Sequence, residues 1–373
     1  MESQSFGAID IEKRRLLYLF HVMSTFFRIL LLLLFTETEV MAQIPNENPT
    51  LPYWLPQDQT IKTPTEKGKY VNEEFPFQPS YKDFRKWKNE VNPYAEEKKN
   101  ATWSVPMSHQ PQNLFAKEDY CVWLGHCTFL FQIDGIRFIT DPVFGSATPF
   151  YPRKSQLPFA VNDLPAIDFI LLSHDHRDHL DFNSLRQLKK KSPEIKVYSG
   201  LKMDGLLKKV FKKNHILCAG WNQVLMETPF KIIFVPARHW SKRGLFDFND
   251  RLWGGFIVQT KDKNIYFSGD TGYGSHFKRF GERMSIDYAL IGIGAYQPEW
   301  FMESNHISPT HAIKAFHEMN AQHMVPMHYG CFDLSNESMQ DPIRVYRNIK
   351  EQHPRKDRLL IPQLGENIFL TQP

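Results

Sequence analysis

The chain has 373 residues, longer than most single domains but within the range of one large α/β unit, and its 42% hydrophobic content is ordinary for a folded protein. A formal net charge of +4 is weak for this length and argues against a polyanion such as nucleic acid as the partner, while leaving room for anionic lipid headgroups. The four cysteines, Cys121, Cys127, Cys218 and Cys331, lack any C-x-x-C spacing and read as core residues or free thiols; a Cys121–Cys127 disulfide does not follow from spacing.

Residues 1–42 stand apart. Lys13-Arg14-Arg15 precede an apolar run from Leu16 to Phe35, a pattern that fits a signal peptide cleaved after Ala42 or a membrane anchor. His21 and Arg28 interrupt the run and weigh against a clean spanning helix. Both readings bring the protein to a membrane, with the side left open. Residues 43–118 are rich in Pro, Asn, Lys and Glu, with Trp54, Tyr70, Phe84, Trp87 and Trp103 among scattered aromatics. Such a segment reads as an arm that wraps a domain on aromatic anchors, or else one whose rings reach a lipid interface. Sequons occur at Asn100 and Asn336, a triplet common by chance.

The folded domain is expected over 119–373. Strands are predicted at 120–124, 128–133 and 136–140, with Asp134-Gly135 as a hairpin turn, then at 167–172, 196–199, 231–236, 255–260, 264–268, 287–292 and 322–327. Helices are predicted from 182, at 201–211, 276–283, 310–319 behind Ser308-Pro309, and 342–351. Strands outnumber helices, and hairpins mix with strand–helix units. That mixture predicts an α/β protein, an αββα sandwich of two mixed β-sheets flanked by helices.

The chemistry concentrates at Ser173-His174-Asp175-His176-Arg177-Asp178-His179, on the turn between the strand ending at Leu172 and the helix begun at Asp181. Imidazole nitrogens and carboxylate oxygens are what zinc and similar ions take as ligands, and a strand-to-helix turn can aim several of them at one point. Further polar residues follow apolar runs: His239 after 231–236, Asp270 within Gly269-Asp270-Thr271-Gly272, and His328 after 322–327. After an H-x-H-x-D-H cluster these positions read as the rest of a metal site.

The order H-x-H-x-D-H, His, Gly-Asp-Thr-Gly, His resembles the metallo-β-lactamase-fold hydrolases. The runs Trp123-Leu124-Gly125-His126, Arg238-His239-Trp240 and Gly294-Ala295-Tyr296-Gln297-Pro298-Glu299-Trp300-Phe301-Met302 narrow the resemblance to the N-acylphosphatidylethanolamine-hydrolysing phospholipase D family, from about Asp119 to Leu370. The resemblance implies two zinc ions per subunit, one held by His174, His176 and His239, the other by Asp178, His179 and His328, with Asp270 bridging. A carboxylate has two oxygens and can span two metals, which an imidazole cannot. The resemblance also implies hydrolysis of N-acylphosphatidylethanolamine to N-acylethanolamine and phosphatidic acid by a hydroxide held between the zincs, at a membrane surface, in a homodimer.

Catalytic roles then fall to Asp270, Asp178 and His306, and substrate contacts to His306, Tyr296 and Gln297. Asp141 and Asp181 are candidates for orienting ligand histidines or for structural caps. His126 is left without a role, although its place in the Trp-Leu-Gly-His run suggests support for the metal site. A lactonase, a β-lactamase or another phosphodiesterase on the same scaffold is the alternative, and a lipid-binding module without turnover is a third.

Overall fold

The strands that the sequence marks most clearly carry no apolar–polar alternation. Tyr120–Gly125, Thr128–Ile133, Phe169–Leu172 and Tyr288–Gly292 are buried at every position. Strands of this kind are covered on both faces. In the computed structural model, which describes residues 44–56, 62–75, 80–108 and 114–370, they form the inner parts of two sheets. The 1–42 segment lies outside the described residues, and among the described residues no helix is long and apolar enough to cross a membrane.

A small hairpin, β1 (Thr65–Glu66) and β2 (Lys69–Tyr70), precedes the sandwich. The first sheet contains β3 (Tyr120–Gly125), β4 (Thr128–Ile133), β5 (Ile136–Thr140), β6 (Phe169–Leu172), β7 (Lys196–Gly200), β8 (Ile216–Ala219) and β15 (Asn367–Phe369), in the order β15-β3-β4-β5-β6-β7-β8. The second contains β9 (Gln223–Met226), β10 (Lys231–Val235), β11 (Gly255–Gln259), β12 (Asn264–Phe267), β13 (Tyr288–Gly292) and β14 (His323–Met327), in the order β14-β13-β12-β11-β10-β9. Both are mixed, and they repeat one topology. An antiparallel meander (β3-β4-β5, then β10-β11-β12) is followed by two parallel strands (β6 and β7, then β13 and β14).

Between the sheets lies an aromatic layer. Phe138 stacks on Phe131 and Phe169 at 4.7 and 5.0 Å, and Phe230 reaches across from the start of β10 to Phe138 and Phe169. The outer face of the first sheet, including Val122, Leu130, Ile170 and Val197, packs under Leu185, Leu188 and Leu207 of the helices α3 (Phe182–Lys191) and α4 (Asp204–Leu207). Helices α5 (His276–Arg283), α6 (Glu299–Met302), α7 (Pro309–Glu318) and α8 (Asp341–Gln352) follow in the second half. Ser308 caps α7, its side chain accepting the His311 N–H, with Pro309 at the first turn.

One helix is shorter than predicted. Over 201–211 only Asp204–Leu207 is α-helical, because Lys202 adopts a left-handed φ of 65° and Gly205 weakens the first turn. All four cysteines are free.

The Pro- and aromatic-rich segment contains helices α1 (Tyr81–Asn89) and α2 (Ala95–Lys99). Trp87 stacks on Phe301 at 5.2 Å and donates from Nε1 to Asn336 Oδ1 at 2.8 Å. Asn336, one of the two sequons, is thereby buried with its side-chain oxygen occupied. Asn72 grips the backbone of His239 with two hydrogen bonds of 3.0 Å, and Asn249 donates to the Tyr70 carbonyl. Other rings of the segment, Phe75, Tyr81 and Phe84, stay exposed.

Candidate metal centre

The buried strands deliver their polar ends to one edge of the sandwich. His174, His176, Asp178 and His179 follow β6; His239 follows β10, Asp270 follows β12 and His328 follows β14. Gly269 makes the turn beside Asp270 feasible. Its φ is +56°, and a Cβ there would stand 2.7 Å from Ser173 Cβ.

The side chains converge as two overlapping sets. In the first, His174 Nε2 and His239 Nε2 lie 2.9 and 3.1 Å from His176 Nδ1, and 3.9 and 3.7 Å from Asp270 Oδ2. In the second, His179 Nε2 and His328 Nε2 lie 3.4 and 3.6 Å from Asp178 Oδ2. These same two nitrogens lie 3.2 Å from Asp270 Oδ2 and 3.1 Å from Asp270 Oδ1. Asp270 thus presents an oxygen to both sets, as expected of a bridging residue.

The residues fit a pair of divalent cations. Ligands ~2.0–2.1 Å from one tetrahedral ion stand about 3.3 Å apart, and the observed separations bracket that edge. His179 Nε2 and His328 Nε2 are buried without a well-directed hydrogen bond among the described residues, a costly state unless an ion takes their lone pairs. Electrostatics agree. Burial alone would depress His328, yet Asp270 and Asp178 hold it up at about 9, and His179 is likewise held well above the ordinary imidazole range. Burial would raise the carboxylates, but His179 and its neighbours hold Asp178 and Asp270 well below their usual range. Positive charge is wanted at the second set, and protons supply it when no cation does. At the first set, burial and neighbouring imidazoles keep His174 and His239 well below the usual range, so both stay neutral and able to ligate.

The remaining ring nitrogens of His174, His179 and His239 are tied down, which fixes those three rings. His239 Nδ1 lies 3.0 Å from the Asn305 carbonyl, and His179 Nδ1 lies 2.8 Å from Asp141 Oδ2. Asp141 also accepts from the Ser173 N–H and hydroxyl, and that hydroxyl sits 2.9 Å from His174 Nδ1. Asp141 therefore orients one ligand directly and another through Ser173. Asp181 takes the other role: it caps α3 by accepting from Asn183 and Ser184 N–H.

His306 reaches the centre, its Nδ1 3.7 Å from Asp270 Oδ2, and burial pushes it down to about 4. Tyr296 and Gln297 do not. The Tyr296 hydroxyl is committed to Asp341, and the backbone N–H groups of both residues donate to the buried Glu337 carboxylate, so they brace a loop away from the cleft. The Gly-Ala-Tyr run that suggested them contributes Ala295 to the cleft instead.

Two features add to the sequence reading, which gave Asp175 no role and His126 only a general support of the metal site. Asp175, between two ligands, is fully buried; it accepts from Arg251 Nε at 2.5 Å and from the Lys242 N–H at 3.0 Å. Arg243 Nη1 donates to the carbonyls of Asp175 and Leu180, tying the ligand loop to the β10–β11 connection. His126 is the second. Its Nε2 lies 3.0 Å from Asp178 Oδ2. Only its closeness to the Trp-Leu-Gly run hinted at this, because its partner is 52 residues away.

The ligand sets open onto a cleft of about 1090 Å³. His176, Asp178, Asp270 and His306 form its floor, and Phe84, Trp87, Trp240, Phe248, Phe301 and Met302 are among its walls. Lys242 and Arg177 add positive charge to the lining.

An αββα sandwich with two metal-ligand sets at the strand ends defines a class, and comparison with known proteins agrees. Residues 136–329 match the family model of the beta-lactamase superfamily domain. The chain is 36% identical over 245 residues to N-acyl-phosphatidylethanolamine-hydrolyzing phospholipase D 1 of Caenorhabditis elegans, covering 61% of this chain and 66% of that protein. It is 32% identical over 261 residues to the mitochondrial N-acyl-phosphatidylethanolamine-hydrolyzing phospholipase D of Saccharomyces cerevisiae, covering 66% of this chain and 55% of that protein. The chain thus spans somewhat less than two thirds of these relatives' lengths. A solved metallo hydrolase from Ignicoccus hospitalis, 20% identical, covers 69% of this chain and all of its own with a TM-score of 0.54, a likeness of fold. The chain belongs to the metallo-β-lactamase superfamily, and within it is similar to these two N-acyl-phosphatidylethanolamine-hydrolyzing phospholipases D.

Proposed function

We propose that the protein is a zinc-dependent phosphodiesterase of the phospholipase D type that cleaves N-acylphosphatidylethanolamine into N-acylethanolamine and phosphatidic acid. The observation that carries this reading is the cleft: its lining is mostly apolar, with Phe84, Trp87, Trp240, Phe248 and Phe301, and it takes in the candidate ligands His176, Asp178 and Asp270. A substrate with a phosphodiester between long acyl chains matches that division, and a small soluble ester does not need it. The two relatives' names point to the same reaction.

His174, His176 and His239 would hold one zinc, Asp178, His179 and His328 the other, and Asp270 would touch both. When bound, such a pair supplies Lewis acidity that polarises a phosphoryl oxygen and lowers the pKa of water to near neutrality. The chain's own groups do the rest. Asp270, at the floor, accepts a proton from the attacking water as that water's oxygen bonds to phosphorus. The bond from phosphorus to the ethanolamide oxygen breaks, and that oxygen takes up the proton that Asp270 received, leaving as the N-acylethanolamine hydroxyl and returning Asp270 to its carboxylate form. His306, held neutral by burial at physiological pH, can donate a ring N–H to a phosphoryl oxygen. Lys242 and Arg177 attract the anionic headgroup. Phe150, Leu245 and Phe246, close in sequence to the cleft-lining Tyr151, Lys242 and Phe248, are exposed apolar side chains suited to a lipid surface.

Mass-spectrometric product analysis tests the reading. The full chain is mixed with vesicles of N-acylphosphatidylethanolamine, vesicles of plain phosphatidylethanolamine, and soluble esters and lactones. Release of N-acylethanolamine with an equal amount of phosphatidic acid, from the first vesicles and not from the soluble compounds, is expected. Turnover of soluble esters or lactones with both lipids intact would replace this substrate with another.

A further inference from the structure

We infer that His126 is a positioning residue of the second ligand set, holding the Asp178 carboxylate so that one of its lone pairs faces the space between His179 and His328. The inference rests on the metal-binding reading of those residues and is independent of the lipid substrate.

His126 follows β3 directly and is locked from several sides. It is buried, with a left-handed φ of 53°. Its N–H donates to Cys331 Sγ at 3.0 Å, and its carbonyl accepts from Trp123 Nε1 at 2.9 Å and from the His328 N–H at 3.3 Å. Its ring lies 4.0 Å from that of His328 and 4.9 Å, edge to face, from that of Phe332. Backbone and side chain together therefore fix two members of the set, His328 through the carbonyl and Asp178 through Nε2.

The hydrogen bond has one direction. A carboxylate oxygen can only accept, so the ring nitrogen 3.0 Å from it, Nε2, is the one that carries the hydrogen. The acceptor, Asp178 Oδ2, is also the oxygen that lies 3.4 and 3.6 Å from the His179 and His328 nitrogens. Donation into one lone pair leaves the other aimed at the ion position and removes the freedom of a loop carboxylate to rotate away. Because Nε2 is engaged in that bond, His126 acts through Asp178 and not as a ligand.

The repeated topology gives an independent reason to find a functional residue here. In the second half the strand equivalent to β3 is β10, which is followed by the ligand His239; the strand equivalent to β5 is β12, which is followed by Asp270. In the first half the corresponding positions hold His126 and Asp141, and both contact ligands of the second set. The first half thus supplies supports where the second supplies ligands.

The test is stepwise metal binding to the full chain, followed by cobalt absorption and by competition of zinc with a chromophoric chelator, with the thermal midpoint of the metal-free protein as control. His126→Phe is expected to weaken the second equivalent by about 10–100-fold while the first stays within about threefold of the parent. His126→Gln, whose amide keeps a donor, is expected to restore most of the lost affinity. An unchanged second equivalent in His126→Phe, equal weakening of both equivalents, or failure of glutamine to restore binding would each overturn the inference. If the phenylalanine variant does not fold, the glutamine variant decides alone: parental affinity for both equivalents supports the assignment, and a tenfold or greater loss of the second contradicts it.

Discussion

Asp270→Asn is expected to lower kcat/KM by about 10³-fold, or roughly 4 kcal/mol of transition-state stabilisation at 1.36 kcal/mol per tenfold. It is also expected to reduce tightly bound metal from two equivalents toward one. Both Asp270 oxygens are in use: Oδ1 lies 3.1 Å from His328 Nε2, and Oδ2 lies 3.2 Å from His179 Nε2 and within 3.9 Å of His174, His239 and His306. An asparagine keeps one oxygen and turns an amide N–H₂ toward one of the two ligand sets. It also removes the negative charge that holds His328 protonated in the metal-free protein. Elemental analysis of the purified variant beside the activity assay checks both parts. A variant with two metals and parental activity would remove Asp270 from the bridge.

Asp175→Ala should be the most damaging change to stability near the site, costing about 3 kcal/mol, the low end for breaking a buried ion pair. The low end applies because Arg251, left behind, keeps a second partner in Asp247. Beyond the pair, the substitution removes the acceptor of the Lys242 N–H. Asp175→Asn retains an acceptor for that N–H and should lose less. Urea denaturation of the metal-free proteins measures the difference. Equal midpoints for the alanine variant and the parent would show that the pair contributes nothing to holding the loop.

The parts of the site legible in the sequence share a cause. Ligands stand at the ends of short apolar strands, so each carries a local signature: an apolar run, then a polar residue at a turn. That rule found the H-x-H-x-D-H turn, His239, Asp270 and His328, and with the hairpin turns it also located most of the sandwich strands. What it could not find is set by pairing across long sequence separations. Asp175 meets Arg251 across 76 residues, His126 meets Asp178 across 52, and Trp87 meets Asn336 across 249. No local pattern announces such partners.

Tyr296 and Gln297 expose a second limit. Their backbone N–H groups donate to the buried Glu337 carboxylate, and in sequence a run that braces a loop reads the same as one that touches substrate. Strands β8, β9 and β15 lie outside the predicted strands, and the helix α1 has no buried residue to give it a period. The short helix at 204–207 errs the other way, since apolar spacing suggested more helix than Lys202 and Gly205 allow.

Hydrolysis of N-acylphosphatidylethanolamine vesicles in H₂¹⁸O, with mass analysis of both products, measures the central claim most directly, because it reports which bond water breaks. Attack at phosphorus puts one heavy oxygen into phosphatidic acid and none into N-acylethanolamine, and that is the result expected. Heavy oxygen in the N-acylethanolamine hydroxyl would place the cleavage at carbon, and heavy oxygen in a released fatty acid would mark an acyl-ester hydrolase; either would contradict a phosphodiesterase built on this centre.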